Sequence, residues 1–282
     1  MIWKNSSLCN SFISPAMSIL INYANSPFSQ ASRIIDDHHK ALGADALDFL
    51  LASLHEITHR LENKLIDISR LSKHVTFVDA INGADIRLAR TALVDVWSFI
   101  DNVHRAAELL PVLDLKINDD GKAILYQVKL VRNSFHHLNE RISEYFAENG
   151  GSVFGDISWF HRSIRSERLC QSLFQSGVIR KVDEDGIERR YVEFRETKGE
   201  ANSTGVFDVE CEYVIKLPKQ EVKILKLSLD EIAGLMNNII TDLNIIVSNT
   251  IAQIGPGRTV DDLFGPYDGF GPLIIHGEQA PQ

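Results

Sequence analysis

Three cysteines in 282 residues, Cys9, Cys170 and Cys211, are too few and too scattered for a disulfide framework or a CxxC metal site. A reducing, cytoplasmic setting is the expectation that follows. Long apolar runs are missing as well: no stretch reaches the length needed to span a bilayer. The patch from Met17 to Asn22 is interrupted by Asn and Ser and preceded by Pro15, which makes a poor secretory leader. An excess of basic charge is also absent. With 29 Lys and Arg against 38 Asp and Glu, the net charge of −9 excludes wholesale coating of nucleic acid but not a local basic cleft. There is no P-loop, GxGxxG turn or internal repeat. What remains, 44% hydrophobic and 24% charged residues, is the make-up of an ordinary globular chain able to bury a sizeable core.

Helical periodicity dominates the first half. Residues 1–43 form an irregular or weakly helical lead-in with Pro15 and Pro27; a short helix over 32–41 would carry Asp36, Asp37, His38 and His39. Consecutive residues on a helix do not converge on one ion, so that run reads as a solvated face. A long helix follows over 44–72, striped by Leu47, Leu50, Leu51, Leu54, Leu61, Leu65 and Ile68. Another spans 84–110 on Leu93, Val96, Trp97, Ile100, Val103, Ala107 and Leu110, and Pro111 ends it. Asp95, Asp101, His104 and Arg105 are polar positions there that would neighbour the next helix or pair on the surface.

That next helix, over 122–147, is the centre of the chain. Ile124, Val128, Val131, Phe135, Leu138, Ile142 and Tyr145 form its apolar face, Asn118, Asp119 and Asp120 offer N-caps, and residues 149–151 stop it. Its middle holds Arg132-Asn133-Ser134-Phe135-His136-His137. At 100° per residue Arg132 and His136 share a flank, while Asn133 and His137 lie on the side opposite Phe135. Arg pairs bidentately with phosphate oxygens, and an imidazole moves a proton near neutrality. The bland alternative is a solvated or salt-bridged flank.

The run Arg132-Asn133, three residues, His137 resembles the motif of the HEPN superfamily, which is Arg, four to six residues, then His, often with Asn after the Arg. The resemblance covers residues 44–147 and one carboxy-terminal helix. It implies a helical bundle, dimers that bring two motifs into one cleft, and in many members metal-independent cleavage of RNA by toxins or antiviral effectors with antitoxin partners. Carried over by position, Arg132 would hold the scissile phosphate, His137 would act as acid or base, and Asn133 would orient; His136 is in support. A non-catalytic module binding nucleotide or a partner through the same cleft is the second expectation.

A competing motif sits in the first long helix. His55-Glu56-Ile57-Thr58-His59 matches HExxH, whose spacing sets two imidazoles on one face to share a zinc ion with the Glu as general base. No sheet precedes it, Arg60 and Lys64 crowd it with positive charge, and no HxxGxxH pattern supplies a third ligand. Neither a metal nor a cofactor is therefore expected, and a zinc hydrolase is the third reading.

Beyond residue 150 the period changes. Residues 178–182 and 190–195 flank the turn Asp183 to Gly186. Phe207, Val209, Cys211, Tyr213, Ile215 and Leu217 alternate with Asp208, Glu210, Glu212 and Lys216, which is a strand with one wet face, and 221–227 would pair with it. Arg162, Arg165, Arg168, Arg180, Lys181, Arg189 and Arg190 are interleaved there with Trp159, Phe160, Phe174 and Tyr191. That mixture either binds RNA backbone and bases or is a solvated surface. Ser228 to Glu231 is a capping box for a last helix over 228–254. The expected architecture is mainly α: an up-and-down four-helix bundle (44–151 and 228–254) with a small antiparallel β-rich insertion (152–227) before the last helix and a Gly/Pro-containing tail (255–282).

Overall fold

The computed structural model describes residues 18–71, 83–146, 152–162, 169–176, 180–183, 186–188, 192–196, 206–216, 222–255 and 257. The chain is mostly helical with a small antiparallel sheet, as its two periodicities predict. Helix α1 runs over His38–Leu71, α2 over Gly83–Leu109, α3 over Asp119–His136, the short α4 over Leu138–Arg141, and α5 over Leu229–Ile254. A 3-10 turn precedes α1 at Pro27–Ile34 and another follows α2 at Leu110–Leu113. Among the described residues no helix is long and apolar enough to cross a membrane.

The Asp-Asp-His-His run does not lie within one short helix. The 3-10 turn stops at Ile34, and Asp37 caps α1 by accepting from the amides of His39 and Lys40. The helix then continues through Gly43, where the sequence suggested a boundary. A Cβ at Gly43 would meet Val112 Cγ1 at 2.9 Å, so this glycine admits the turn after α2 rather than breaking α1. Antiparallel α1 and α2 are also tied by Arg60 and Lys64, which both bond the buried Asp95.

The lead-in is built into the core. Ile19, Ile21, Tyr23, Phe28, Ala31 and Ile34 are buried. Their segment is laced to α1 by the Ile21 amide on Thr58 Oγ1 and to α5 by Asn237 and Asn244. It therefore wedges between α1 and α5, and apolar burial outweighs its lack of a regular period.

The five-stranded sheet comprises β1 (Asp156–Arg162), β2 (Leu169–Gln175), β5 (Val192–Glu196), β6 (Val206–Lys216) and β7 (Val222–Ser228), in the order β5-β2-β1-β6-β7. A separate hairpin pairs β3 (Arg180–Asp183) with β4 (Gly186–Glu188) around the expected turn. One sheet face joins the helical core: Trp159 is fully buried and donates from Nε1 to Ser69 Oγ on α1 at 2.9 Å. In β6 the alternation holds at Val209, Cys211, Tyr213 and Ile215, but Val206 is buried in place of Phe207. Asp208 has φ 48°, and the β1–β6 register shifts beside it. A bulge thus flips the side chains before it, and Phe207 stacks on Phe160 instead.

Ser228 caps α5 by accepting from the Glu231 amide, as its capping box predicts. Asp230 behind it is buried; its Oδ2 accepts from the Val209 amide, while Oδ1 has no partner among the described residues. Burial, with Asp208 and Glu210 nearby, pushes its carboxyl up to about 7 against that hydrogen bond. The expected tail lies outside the described residues except for Gly255 and Gly257, and the stop at 149–151 lies wholly outside them.

Candidate phosphate site on the α2–α3 seam

Asn118 caps α3 through its side chain on the Gly121 amide. Val128, Val131 and Ser134 then turn inward, and Ser134 Oγ donates to Val214 O of β6 at 2.9 Å. The expected single helix over 122–147 does not persist. His137 leaves helical geometry at φ −104° and ψ 31°, α4 follows, and residues Ile142–Phe146 form a π turn. No Pro or Gly marks this break. It falls where Ser134 is bonded to the sheet and Phe135 is stacked on Trp97, so tertiary contacts hold the chain while the winding changes. One consequence is that Ile142, assigned to the apolar stripe, is 44% exposed.

Antiparallel packing of α2 and α3 makes a seam with a repeating order. Trp97 stacks on Phe135, with ring centroids 4.0 Å apart. One turn along, Arg132 Nε donates to Asp101 Oδ1 at 3.3 Å, and Arg105 Nε donates to Asp101 Oδ2 at 2.7 Å. Partial burial pushes the Asp101 carboxyl up, but the hydrogen bonds and charges of Arg105 and Arg132 outweigh it and hold the group below its ordinary range. His104 lies next, buried, with Nε2 3.4 Å from Glu108 Oε1. Burial, joined by Arg132 and Lys129 and opposed by Glu108 and Asp101, holds its imidazole below the usual value, so it stays neutral at pH 7. The seam is thus a carboxylate gripped by two guanidinium groups, with a neutral imidazole alongside.

The four residues singled out from the sequence separate into two groups. Arg132 is half-buried on the seam. Asn133, His136 and His137 are exposed, and His137 Nδ1 lies 3.2 Å from Glu140 Oε1. That carboxylate favours the tautomer that leaves Nε2 outward. Among the described residues Arg132 and His137 do not share one hollow, because the guanidinium is drawn to Asp101 on α2 while the imidazole stands in solvent. A small opening beside α3 is lined instead by Trp97, Ser134, Phe135, Arg141 and Tyr213, and its cavity of ≈ 10 Å³ has room for about one water. Glu140 was not singled out from the sequence; its place three residues after His137 was the available signal.

At HExxH, His55 Nδ1 donates to Ile21 O at 2.6 Å, and the rings of His55 and His59 meet edge-on. Glu56 is exposed, and Arg60 and Lys64 turn to Asp95. Among the described residues no three His, Cys, Asp or Glu side chains converge as metal ligands would. Of the insertion's aromatics, Trp159 and Phe174 are core residues and cannot stack on bases. Arg165, Arg168, Arg189, Arg190 and Tyr191 lie outside the described residues, as do the side chains of Arg162, Arg180 and Lys181. The chain matches no family model, no curated protein and no solved structure.

Proposed function

We propose that this chain is a HEPN-like endoribonuclease that cleaves RNA without a metal, with the α2–α3 seam as its phosphate site. One observation carries the reading. Among the described residues Arg132 is held by Asp101 through Nε, which leaves the paired Nη1 and Nη2 edge to grip a phosphate bidentately. Asp101 positions that guanidinium; His136 and His137 are exposed imidazoles one turn further on, the second oriented by Glu140. In the reaction an imidazole takes the proton of the 2′-hydroxyl, whose oxygen attacks phosphorus. The bond from phosphorus to the 5′ oxygen breaks, and a second imidazole returns a proton to that leaving oxygen. Asn133 binds or orients beside them, and Arg132 meets the charge gathering on the phosphoryl oxygens.

As the resemblance implies, the complete site is that of a homodimer, in which His137 of a second copy approaches Arg132 of the first; the support is that Arg132 is held toward α2 while His137 is exposed. On this reading the long helices α1, α2, α3 and α5 are the counterpart of the resemblance's bundle, although the lead-in lies between α1 and α5 and the sheet is inserted before the last of them. A toxin or defence role with an antitoxin partner belongs to the same proposal.

The test is cleavage of a mixed-sequence RNA in EDTA. Wild type cleaves, and Arg132→Ala or His137→Ala lowers the rate at least about 100-fold with the fold intact. Absence of cleavage by wild type, or a double variant as active as wild type, overturns the reading. Thermal stabilisation by nucleotide without turnover selects the binding module instead.

A further inference from the structure

We propose that Trp97, Phe135 and Phe154 form a ledge that seats one unpaired nucleobase of a single-stranded RNA whose adjoining phosphate lies on Arg132. This rests on the phosphate role of Arg132 given above and names what that site reads beside it. Trp159 and Phe174 are fully buried in the core, whereas Phe49, Tyr126 and the Phe160–Phe207 pair are exposed or partly so, without a guanidinium one turn away among the described residues. The ledge differs. Trp97 and Phe135 are each only partly buried, and Phe154 is 45% exposed.

The three rings are nonetheless held firmly. Trp97 and Phe135 stack at 4.0 Å, Phe135 and Phe154 lie 6.4 Å apart, and Trp97 Nε1 donates to Phe154 O at 3.1 Å. Gly155, at φ 84°, supports the loop that carries Phe154; a Cβ there would strike the Tyr213 ring at 2.4 Å. Tyr213 also packs against Trp97 at 4.8 Å, so the cluster is preformed and the exposed Phe154 ring is the face it offers to a flat partner.

Position identifies the partner. Trp97 precedes Asp101 by four residues on α2, and Phe135 follows Arg132 by three on α3. The aromatic layer therefore lies about one helical turn, ~5 Å, from the guanidinium. A nucleotide carries its base and its phosphate at such a separation. Lys129 and Arg105 add positive charge along the same seam for the neighbouring phosphates. Even with Asp101 pairing Arg105 and Arg132, the seam carries three cations (Arg105, Lys129, Arg132) that an apolar protein segment would not use, whereas a single strand uses both the stacking surface and the charge.

The test is equilibrium binding of the full chain to two single strands of equal length: a 2′-O-methyl RNA, which lacks the attacking hydroxyl, and its abasic counterpart. Wild type binds the base-bearing strand more tightly. Phe154→Ala weakens that binding roughly 5- to 150-fold and leaves the abasic strand unchanged. Phe154→Trp keeps a stacking face and restores the affinity, and Arg132→Ala weakens both strands alike. The ledge is overturned if Phe154→Ala binds the base-bearing strand as wild type does, or if wild type fails to distinguish the two strands or binds neither. RNA cleavage without base-dependent binding sinks the ledge alone. Base-dependent binding without cleavage keeps the ledge and sinks the nuclease.

Discussion

Replacing Asp230 by Asn removes the chain's clearest internal conflict between burial and charge. The carboxyl sits behind the cap of α5 with one oxygen on the Val209 amide and the other without a partner among the described residues, and burial raises its folded value to about 7. Unfolded, it titrates near 3.8. The folded state therefore binds the proton more tightly, so stability falls as pH rises through the window between those two values and is level above it. Each unit of pH in that window costs about 1.4 kcal/mol, so the penalty grows from ~1.5 kcal/mol at pH 5 to ~4 kcal/mol at pH 8. Asn carries no such term, and the fit of its amide adds an offset independent of pH. Urea unfolding of both proteins at the two pH values reads the difference. The Asn variant should gain on wild type by ~2–3 kcal/mol between pH 5 and pH 8. A gap that stays constant or narrows with rising pH refutes the assignment of a desolvated, proton-holding Asp230.

Asp101→Asn should cost less than about 1 kcal/mol of stability, because its ion pairs are partly exposed, yet lower RNA cleavage by about 10- to 100-fold through a misplaced Arg132. Equal small effects on stability and rate would deny Asp101 a positioning role. Ser134→Ala removes the bond to Val214 O and should destabilise by about 1–2 kcal/mol in the same urea assay. Asn237→Ala strips partners from the Asn22 amide and the Leu20 carbonyl, and should lower stability by about 1–2 kcal/mol and expose the lead-in to protease. A protease pattern like that of wild type would show that the wedge is held without it.

Some of this was legible in the residues themselves. The leucine stripe of α1 is buried at Leu47, Leu51, Leu54, Leu61 and Leu65, and Ser228 caps α5. Such features depend on neighbours three or four residues away, which a sequence displays directly. The alternation of β6 held until the bulge at Asp208, where a single left-handed residue reversed it.

The site was legible only as a list of residue types. Arg132, Asn133, His136 and His137 stand out by spacing, but the sequence does not say that Asp101 turns Arg132 toward α2 or that the helix breaks at His137. Both outcomes depend on residues about 30 or more positions away, in the contacts Trp97–Phe135, Asp101–Arg132 and Ser134–Val214.

Local pattern, then, determined which segments coil and which extend, and where their apolar sides lie. Tertiary packing decided that the irregular segment before α1 is interior, that Gly43 is a contact surface rather than a boundary, and that guanidinium and imidazole part company on α3. The reason is one of range: periodicity records the chain's relation to its own next turn, whereas burial and ion pairing are settled by whatever distant residues the fold brings alongside.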